Sequence, residues 1–405
     1  MWLISLAWKN LWRNKTRTAI TMAAVYFAVI LSVFTSSLKD GIFDNLIKNV
    51  VSFYTGYIQV HKKGYWDEQV LENGMTYNEH VHNKMLLIDN VAGSAPRLET
   101  FALIATDSTT KGCMVMGIDP ESENKVTSLK NKVIKGSYIL EDDKTVMLAE
   151  GLARRIKADI QDTIYLIGQG YHGATAVGSF VVKSLVKLGS PQLNDQVLYL
   201  SISAASELYG AEDFATSVVI SLHDPGKLNA SVKKLQQKLG HDYEVMSWEE
   251  IMPDVKQHIE TDSNNMKYVQ GILYMLVSFG IFGTLLMMMV ERKYEFGMLI
   301  AIGMKKSRLC LLMVIESILT VSGGCILGLL TSIPIIYYFN QNPMRISGEI
   351  ASIYERFGFE AVFPTSTGSD NFIFQGITVL IIGFILSLYP VYRILRINPA
   401  ESMKR

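Results

Sequence analysis

Four long stretches of this 405-residue chain are almost free of charged residues, and they constrain its fold more than any other feature. Each contains the roughly 20 apolar residues that a helix needs to cross a bilayer core of about 30 Å. Uninterrupted apolar runs of this length are typical of membrane helices, because only helices and closed barrels satisfy their backbone groups in lipid. The sequence therefore predicts an α-helical membrane protein with four transmembrane helices, over residues 18–38, 268–290, 309–339 and 372–392.

Basic residues lie next to these stretches in three segments. Residues 1–17, 291–308 and 393–405 all contain clusters of lysine and arginine, and the first segment has no acidic residue. Because lysine and arginine are enriched in cytoplasmic loops, we predict that these three segments, and with them both chain termini, lie in the cytoplasm. Residues 39–267 and 340–371 are then predicted to lie outside.

The segment before the first span, residues 1–17, is predicted to be an amphipathic helix. Tryptophan and leucine side chains supply its apolar side, and lysine and arginine supply its charges. Such helices lie in the membrane interface. The apolar run that follows is longer than the roughly 7–15 residues of a cleaved signal peptide. We therefore expect an uncleaved anchor that is preceded by an interfacial elbow helix.

The large segment of residues 39–267 is predicted to be a folded α/β domain between spans one and two. A strand-dense middle interrupts flanking helix–strand units, which indicates two subdomains. Residues 39–51 and 247–267 are expected to form stalk helices, the second continuous into the next span and opened by a capping box at Ser247. The predicted strands are 56–60, 101–106, 113–118, 145–149, 163–167, 180–186, 196–200 and 217–222, and the predicted helices are 78–89, 149–157, 203–209 and 224–239.

No sequence pattern indicates a catalytic or metal site. The chain contains no CxxC, no HExxH and no GxxxxGK[ST] phosphate-binding loop. Cys113, Cys310 and Cys325 are not spaced as a disulfide framework, and Cys113 is expected to be buried and inert. We therefore predict that the chain is not an enzyme, has no metal or other cofactor of its own and does not bind nucleic acid. If ATP drives it, another subunit binds the ATP.

Three segments resemble the signature segments of the FtsX/MacB-type ABC transporter permeases. They are residues 7–21 (AWKNLWRNKTRTAIT), 291–304 (ERKYEFGMLIAIGM) and 389–405 (YPVYRILRINPAESMKR). Residues 56–65 (GYIQVHKKGY), 117–120 (GIDP) and 148–152 (LAEGL) and the overall length also resemble the lipoprotein-releasing LolC/LolE-type branch. The resemblance covers essentially the whole chain. It implies a bacterial inner-membrane permease with a periplasmic domain, a cytoplasmic ABC ATPase subunit that binds ATP and Mg, and a second permease subunit in a homodimer or heterodimer.

By the same resemblance, residues 291–304 form the coupling helix, which seats in a groove of the ATPase subunit. A polar start is followed by an apolar stripe, and two glycines allow a turn or a close approach. An apolar, partly exposed helix needs a cover, which favours docking over a loop helix without a partner. The residues assigned to ATPase coupling are Glu291, Arg292, Glu295, Phe296, Gly297, Met298, Leu299, Ile302, Gly303 and Met304.

Glu316 is the acidic residue inside the predicted spans. It lies about 12 Å into the third span at 1.5 Å per residue. An acid within the membrane indicates function by default. Its shallow depth also allows a structural pairing with Arg292 or Lys306, which we expect rather than substrate handling. On the same helix, Gly324 and Gly328 form a GxxxG-like face that is suited to close helix packing.

Three functions fit such a permease. We favour the extraction of lipoproteins from the outer leaflet of the inner membrane and their transfer to a periplasmic chaperone for delivery toward the outer membrane. The second is MacB-like efflux, in which the permease transmits ATP-driven motion (mechanotransmission) to periplasmic partners. The third is FtsX-like regulation of a cell-wall hydrolase, against which the large outer domain argues. Membrane lipids surround the spans in each case.

Lipoprotein extraction requires an apolar chamber, because exposing acyl chains to water is costly. The first two spans are its expected walls. The candidate chamber residues are Val33, Met275, Leu276, Phe279 and Phe282.

Residues 168–179 (GQGYHGATAVGS) occupy the position of a protruding loop that recruits the chaperone in one of the two LolC/LolE-type paralogues. Tyr171 and His172 are the candidate chaperone-facing residues. The segment is shorter than that loop, rich in glycine and without its Pro/Arg character. The chain is therefore either the partner that lacks this loop or one that uses a different acceptor.

Overall fold

The computed structural model describes residues 2–13, 15–107, 109–349, 351 and 362–397. Parts of the predicted outer loop (352–361) and of the predicted cytoplasmic tail (398–405) lie outside these residues. The chain divides into two compact units. The first comprises Met1–Asn45, Ile259–Arg345 and Val362–Arg405, and the second comprises Leu46–His258 and Ile346–Ala361.

Helices dominate the first unit and alternate with strands in the second. Their bounds are α1 (Trp2–Arg13), α2 (Lys15–Val50), α3 (Tyr65–Glu68), α4 (Glu79–Leu86), α5 (Pro120–Thr127), α6 (Glu150–Ile156), α7 (Pro191–Asn194), α8 (Ile202–Tyr209), α9 (Leu228–Leu239), α10 (Trp248–Ile251), α11 (Pro253–Glu291), α12 (Lys293–Ala301), α13 (Lys306–Gln341) and α14 (Ser369–Leu395).

The strands lie mostly between α2 and α11 in the sequence. They are β1 (Ile58–Lys62), β2 (Met75–Thr76), β3 (Val91–Ala105), β4 (Thr110–Ile118), β5 (Val133–Gly136), β6 (Thr145–Ala149), β7 (Thr163–Gln169), β8 (Thr175–Val186), β9 (Val197–Ser201), β10 (Phe214–Ala215), β11 (Ser217–Leu222), β12 (Tyr243–Ser247), β13 (Met344–Arg345) and β14 (Val362–Phe363).

Four helices are long and apolar enough to cross a membrane, which confirms the four predicted apolar helices. They are α2 over Thr18–Asn49, α11, α13 and α14. Each contains one of the predicted apolar stretches, and α2 and α11 also continue into the second unit.

Small residues bring α13 close to α2 in the first unit. A Cβ placed on Gly324 would lie 2.8 Å from the Cβ of Val25, and one placed on Gly328 would lie 2.9 Å from the Cβ of Val29. Only glycine fits at these two positions. Because lipid is as apolar as leucine, such close van der Waals packing, rather than a hydrophobic driving force, holds membrane helices together. The GxxxG-like face predicted from the sequence therefore packs on α2.

The second unit is built on one ten-stranded sheet, in the order β12-β1-β11-β3-β4-β9-β6-β8-β5, with β7 paired to β3 and β8. The β4–β9 and β6–β8 pairs are parallel, and the remaining pairs are antiparallel. Strand β3 pairs with β11 through its first half and with β7 through its last residues. The predicted α/β composition is present, and the division into two subdomains stays a prediction.

Strand β3 is much longer than the predicted strand 101–106, because it begins at Val91. Its first half contains Gly93, Ser94 and Pro96, residue types that are depleted in strands. Pairing with β11 overrides this local preference. The prediction was therefore wrong about where the strand starts, and within residues 39–267 it also missed β2, β5, β10 and β12.

The helix predicted to run without interruption from Ser247 into the second span is broken at Met252. The capping box of Ser247 and Glu250 is present, but it opens only the short helix α10. Pro253 begins α11. Proline restrains the residue before it from helical conformation and favours the first position of a new helix. The prediction of one continuous helix was therefore wrong.

A buried arginine in the second unit holds the π-helical turn Val51–Thr55 that follows α2. Arg97 on β3, 1% exposed, donates two hydrogen bonds of 2.7 and 2.9 Å to Glu123 of α5. It also donates one of 2.6 Å to the backbone oxygen of Tyr54, whose hydroxyl donates to Glu99 at 3.1 Å. Buried charges are stable only when they are paired and hydrogen-bonded. This network therefore fixes the turn against the sheet.

Replacing Arg97 by methionine leaves Glu99 and Glu123 buried without their cation. We expect the free energy of unfolding to fall by about 3–5 kcal/mol. Thermal unfolding of the full-length protein in detergent measures the loss. Lys144→Met is the control, because it removes only an exposed ion pair with Glu207. Equal Tm values for both variants and the wild type would contradict a stabilising role for the buried network.

Candidate functional site

Helix α12, which coincides with the predicted coupling helix, is divided between a buried and an exposed side. Phe296 is fully buried and Gly297 is buried as well. Tyr294, Met298 and Ile302 are exposed, Ile302 by 78%. These three residues follow at intervals of four, so they lie along one face of the helix. The sequence-based prediction placed Phe296, Met298 and Ile302 in a single stripe and missed Tyr294.

The remaining predicted coupling residues lie around this helix. Leu299 and Met304 pack partly against the apolar core of the first unit, and Glu291 is exposed at the end of α11. Gly303 has a φ of +109°, a left-handed conformation that L side chains rarely adopt. The turn from α12 into α13 therefore requires glycine at this position.

A chain of four charged side chains connects α1, α12 and α13. Arg292, between α11 and α12, donates to Glu316 of α13 at 2.5 Å and to Glu295 of α12 at 3.1 Å. Arg13 of α1 donates to the same Glu295 carboxylate at 2.5 and 2.6 Å. We call these four ion-paired residues, Arg13, Glu295, Arg292 and Glu316, the charge relay; the name refers to the chain of ion pairs and not to proton transfer. It fixes α12 to two neighbouring helices at once.

The inner end of the charge relay is buried. Arg292 and Glu316 are 5% and 1% exposed, and the Arg292 guanidinium lies 5.2 Å from the centre of the Phe296 ring. The structure thus pairs Glu316 with Arg292, the first of the two partners considered from the sequence. The other, Lys306, donates instead to the backbone oxygens of Leu395 and Ile397 at 2.9 Å. A cation is favourable at the carboxyl end of a helix, so Lys306 caps α14.

The outer end of the charge relay is held by its two arginines. Burial alone would raise the pKa of Glu295, but hydrogen bonds from Arg13 and Arg292 hold it below its ordinary value. A carboxyl group with a lowered folded-state pKa stabilises the protein above its unfolded pKa, and the contribution is lost as pH falls through the folded value. The attachment of α1 to α12 is therefore intact at neutral pH and weakens only in acid.

Replacing Glu316 by leucine leaves Arg292 without its buried partner and with only the more exposed Glu295, and we expect this to cost up to about 3–5 kcal/mol of stability. Adding Arg292→Met should restore most of the loss, because exchanging a whole buried pair for apolar residues is often neutral. The fraction of monodisperse protein after heating in detergent measures both effects. A double variant that is as unstable as Glu316→Leu alone would show that the unpaired charge is not the cause.

The five candidate chamber residues do not form one surface. Met275, Leu276 and Phe279 are exposed along α11, Phe279 by 66%. Phe282 is half-buried and its ring lies 5.0 Å from that of Tyr389. Val33 is fully buried in the helix-packing core. The structure therefore keeps three candidates together on the surface of α11 and separates Val33 from them.

The segment predicted as a chaperone-facing loop is a compact hairpin in the second unit. Strands β7 and β8 stay paired up to Gln169 and Thr175, which leaves five residues for the turn. The ring of Tyr171 lies 5.1 Å from that of Phe214. His172 is exposed in a left-handed conformation, with φ of 56°. The turn therefore folds back on the body of the unit, with His172 at its surface.

The three cysteines are free and buried. In the second unit, burial raises the pKa of the Cys113 thiol to about 12, and the thiol donates to the backbone oxygen of Ala102. A thiol that stays protonated is a poor nucleophile and metal ligand. Within the described residues, no group of three or more His, Cys, Asp or Glu side chains is arranged to hold a metal ion.

Two family models match the chain. The model of the FtsX-like permease C-terminal region matches residues 269–399, which include most of α11, all of α12, α13 and α14, and the charge relay's buried pair. The model of the MacB-like periplasmic core domain matches residues 18–238, more than half of the chain.

Related proteins extend this match. The lipoprotein-releasing system transmembrane protein LolC of Xylella fastidiosa is 22% identical over 325 residues, which are 78% of this chain and 78% of that protein. The corresponding protein LolE of Haemophilus influenzae is 21% identical and covers 77% of both chains. The macrolide export ATP-binding/permease protein MacB of Bordetella avium is 25% identical over 50% of this chain and 29% of that protein. The similarity to LolC and LolE thus extends much further along the chain.

Proposed function

Because the chain belongs to the FtsX/MacB-type family of ABC transporter permeases, we propose that it extracts lipoproteins from the outer leaflet of the bacterial inner membrane. The observation that carries this proposal is the similarity to LolC and LolE over more than three quarters of the chain. Extraction would be the first step of delivery toward the outer membrane.

The energetics of extraction require an apolar surface for the acyl chains. Burial of a CH₂ group is worth about 0.8 kcal/mol, so three chains of roughly fifteen methylenes hold a lipoprotein by on the order of 36 kcal/mol. If the acyl chains passed through water, this stabilisation would be lost. The exposed apolar side chains of Met275, Leu276 and Phe279 on α11 offer such a surface. Methionine suits varied acyl chains because its side chain is flexible.

The coupling to ATP is proposed to occur at α12. The exposed face of Tyr294, Met298 and Ile302, which we call the docking ridge, would seat in the ATPase subunit that binds ATP and Mg. The charge relay on the other side of α12 would carry its displacement to α1 and α13. Phe296 and Gly297 support the helix from inside rather than contacting the partner.

The orientation and further partners follow from the same assignment. The basic segments support a topology in which both termini and α12 lie in the cytoplasm and the second unit lies in the periplasm. A second permease subunit, identical or similar, would complete the chamber. The hairpin turn at Tyr171 and His172 is the proposed contact for a periplasmic chaperone.

A carboxylate on the docking ridge should weaken ATPase binding without unfolding the permease. We expect Met298→Asp to lower the amount of ATPase subunit that co-purifies with the permease by on the order of tenfold, because an apolar groove cannot solvate the charge. Met298→Leu is the matched control. Phe296→Asp should instead reduce the amount of folded permease. Retention of the ATPase subunit by Met298→Asp at the wild-type level would contradict the docking ridge.

A photocrosslinking residue at Phe279 should capture lipidated substrate and not its unlipidated form. The same residue at Val33 should capture neither, because that position is buried between helices. Met275→Asp should block lipoprotein release while the ATPase subunit stays bound, and Met275→Leu should leave release intact. Crosslinked products are resolved by mass spectrometry.

Other crosslinking outcomes separate the proposal from MacB-like efflux. A pump that transmits motion to periplasmic partners does not bring its substrate into the bilayer. Equal capture of both substrate forms at Phe279, or capture of neither, would therefore contradict lipoprotein extraction. The function would then be assigned to the MacB-like class, which shares the periplasmic core domain.

A further inference from the structure

The two halves of the membrane-spanning part of α11 are held in different ways. Its buried side chains are Ile281, Leu285, Met288 and Met289, all in the half that leads to Arg292. In the earlier half, Val277 packs only partly against the core, whereas Met275 and neighbouring apolar side chains are exposed. Apolar packing therefore fixes α11 near α12 and leaves the earlier half without a comparable contact.

A polar cluster joins this earlier half to two other helices. The Oε1 atom of Gln375 on α14 accepts hydrogen bonds from the hydroxyl of Tyr274 on α11 and, at 2.6 Å, from that of Ser32 on α2. Gln375 and Ser32 are 2% and 1% exposed. Gln270 of α11 donates to the Tyr274 hydroxyl at 3.3 Å. We call Ser32, Tyr274 and Gln375 the polar latch.

The other helices at this level are joined independently of the polar latch. The hydroxyl of Ser36 on α2 donates to the side chain of Asn371 on α14 at 2.9 Å. The backbone nitrogen of Ser366 donates to the backbone oxygen of Ser37 at 2.7 Å. Glycines on α13 pack against α2, and a Cβ on Gly383 of α14 would lie 2.7 Å from Val321 of α13. Helices α2, α13 and α14 thus form one packed group to which the earlier half of α11 is attached by the latch.

We propose that the polar latch is a releasable tie, with Gln375 as the positioning residue that holds the earlier half of α11 against α2 and α14. Release exchanges helix contacts for lipid contacts at little apolar cost, because the two surroundings are similarly apolar. The remaining barrier is the loss of hydrogen bonds whose individual strength within membranes is modest. This inference rests on the proposed function in one respect: the movement would control access to the acyl-chain surface of Met275 and Phe279.

The test measures the position of α11 directly. Spin labels at the exposed positions Ile272 on α11 and Ile377 on α14 report the distance between the two helices in the full-length permease. The permease is reconstituted without substrate in nanodiscs of phosphatidylethanolamine and phosphatidylglycerol. We expect Tyr274→Phe to raise the longer-distance population roughly threefold, because it removes the hydrogen bond from α11 to Gln375, and one such bond within a membrane is worth about 0.6 kcal/mol.

Matched variants separate the polar latch from general loosening. Thr284→Val removes a hydroxyl that bonds within α11, to the oxygen of Ile281, and should leave the distances unchanged. Gln375→Leu should act like Tyr274→Phe, and combining the two should add nothing further. The proposal is overturned if Tyr274→Phe matches Thr284→Val, or if the two latch substitutions add. Because no substrate is present, either result is independent of lipoprotein crosslinking at Phe279.

Discussion

In lipid, a carboxylate such as Glu316 is stable only when a cation reaches it, and Arg292 supplies that cation from the junction of α11 and α12. The pair therefore determines where α11 ends relative to α13. Because Arg292 also holds Glu295, and Glu295 holds Arg13, the positions of α12 and α1 depend on the same contact. On the other side of α12 the side chains of Tyr294, Met298 and Ile302 are exposed.

This arrangement gives α11 a fixed end and an adjustable end. Near Arg292 the helix is held by ionic contacts and by buried apolar side chains, which interdigitate and allow few alternative arrangements. At Tyr274 it is held by a hydrogen bond to Gln375, which the proposed release would break. A helix is a stiff element over this length, so a small displacement at the fixed end becomes a larger one at the other. The proposed coupling and the proposed substrate surface would then be parts of one lever within the first unit.

The sequence predicted those features that depend on local composition. The four apolar helices follow from long charge-free runs, and a partner for Glu316 could be named because few cations lie within its reach. Which face of a span is buried could not be predicted: Val33 and Phe279 are both apolar residues in apolar helices, and only the packing of neighbouring helices separates them. For the same reason, Phe296 and Met298 were assigned to one stripe although they lie on different sides of α12.

In the second unit, prediction failed where tertiary pairing overrides local preference. The start of β3 contains glycine and proline, and its strand conformation depends on pairing with β11, which is more than 100 residues away in the sequence. The break before Pro253 was readable from the sequence, because proline restrains the residue before it, but the helical periodicity on both sides concealed it.

The length of β3 has a consequence for the mechanics of the second unit. Of its 15 residues, Val91–Arg97 pair with β11, Arg97–Ala105 pair with β4, and Ala102–Ala105 also pair with β7. Bending the unit between its β11 and β7 parts would distort this single strand and its ladder with β4. Backbone amides along β3 should accordingly exchange with solvent only when the whole sheet opens. A force applied to the β11 part of the sheet is then transmitted along β3 to the β7 part through one continuous strand.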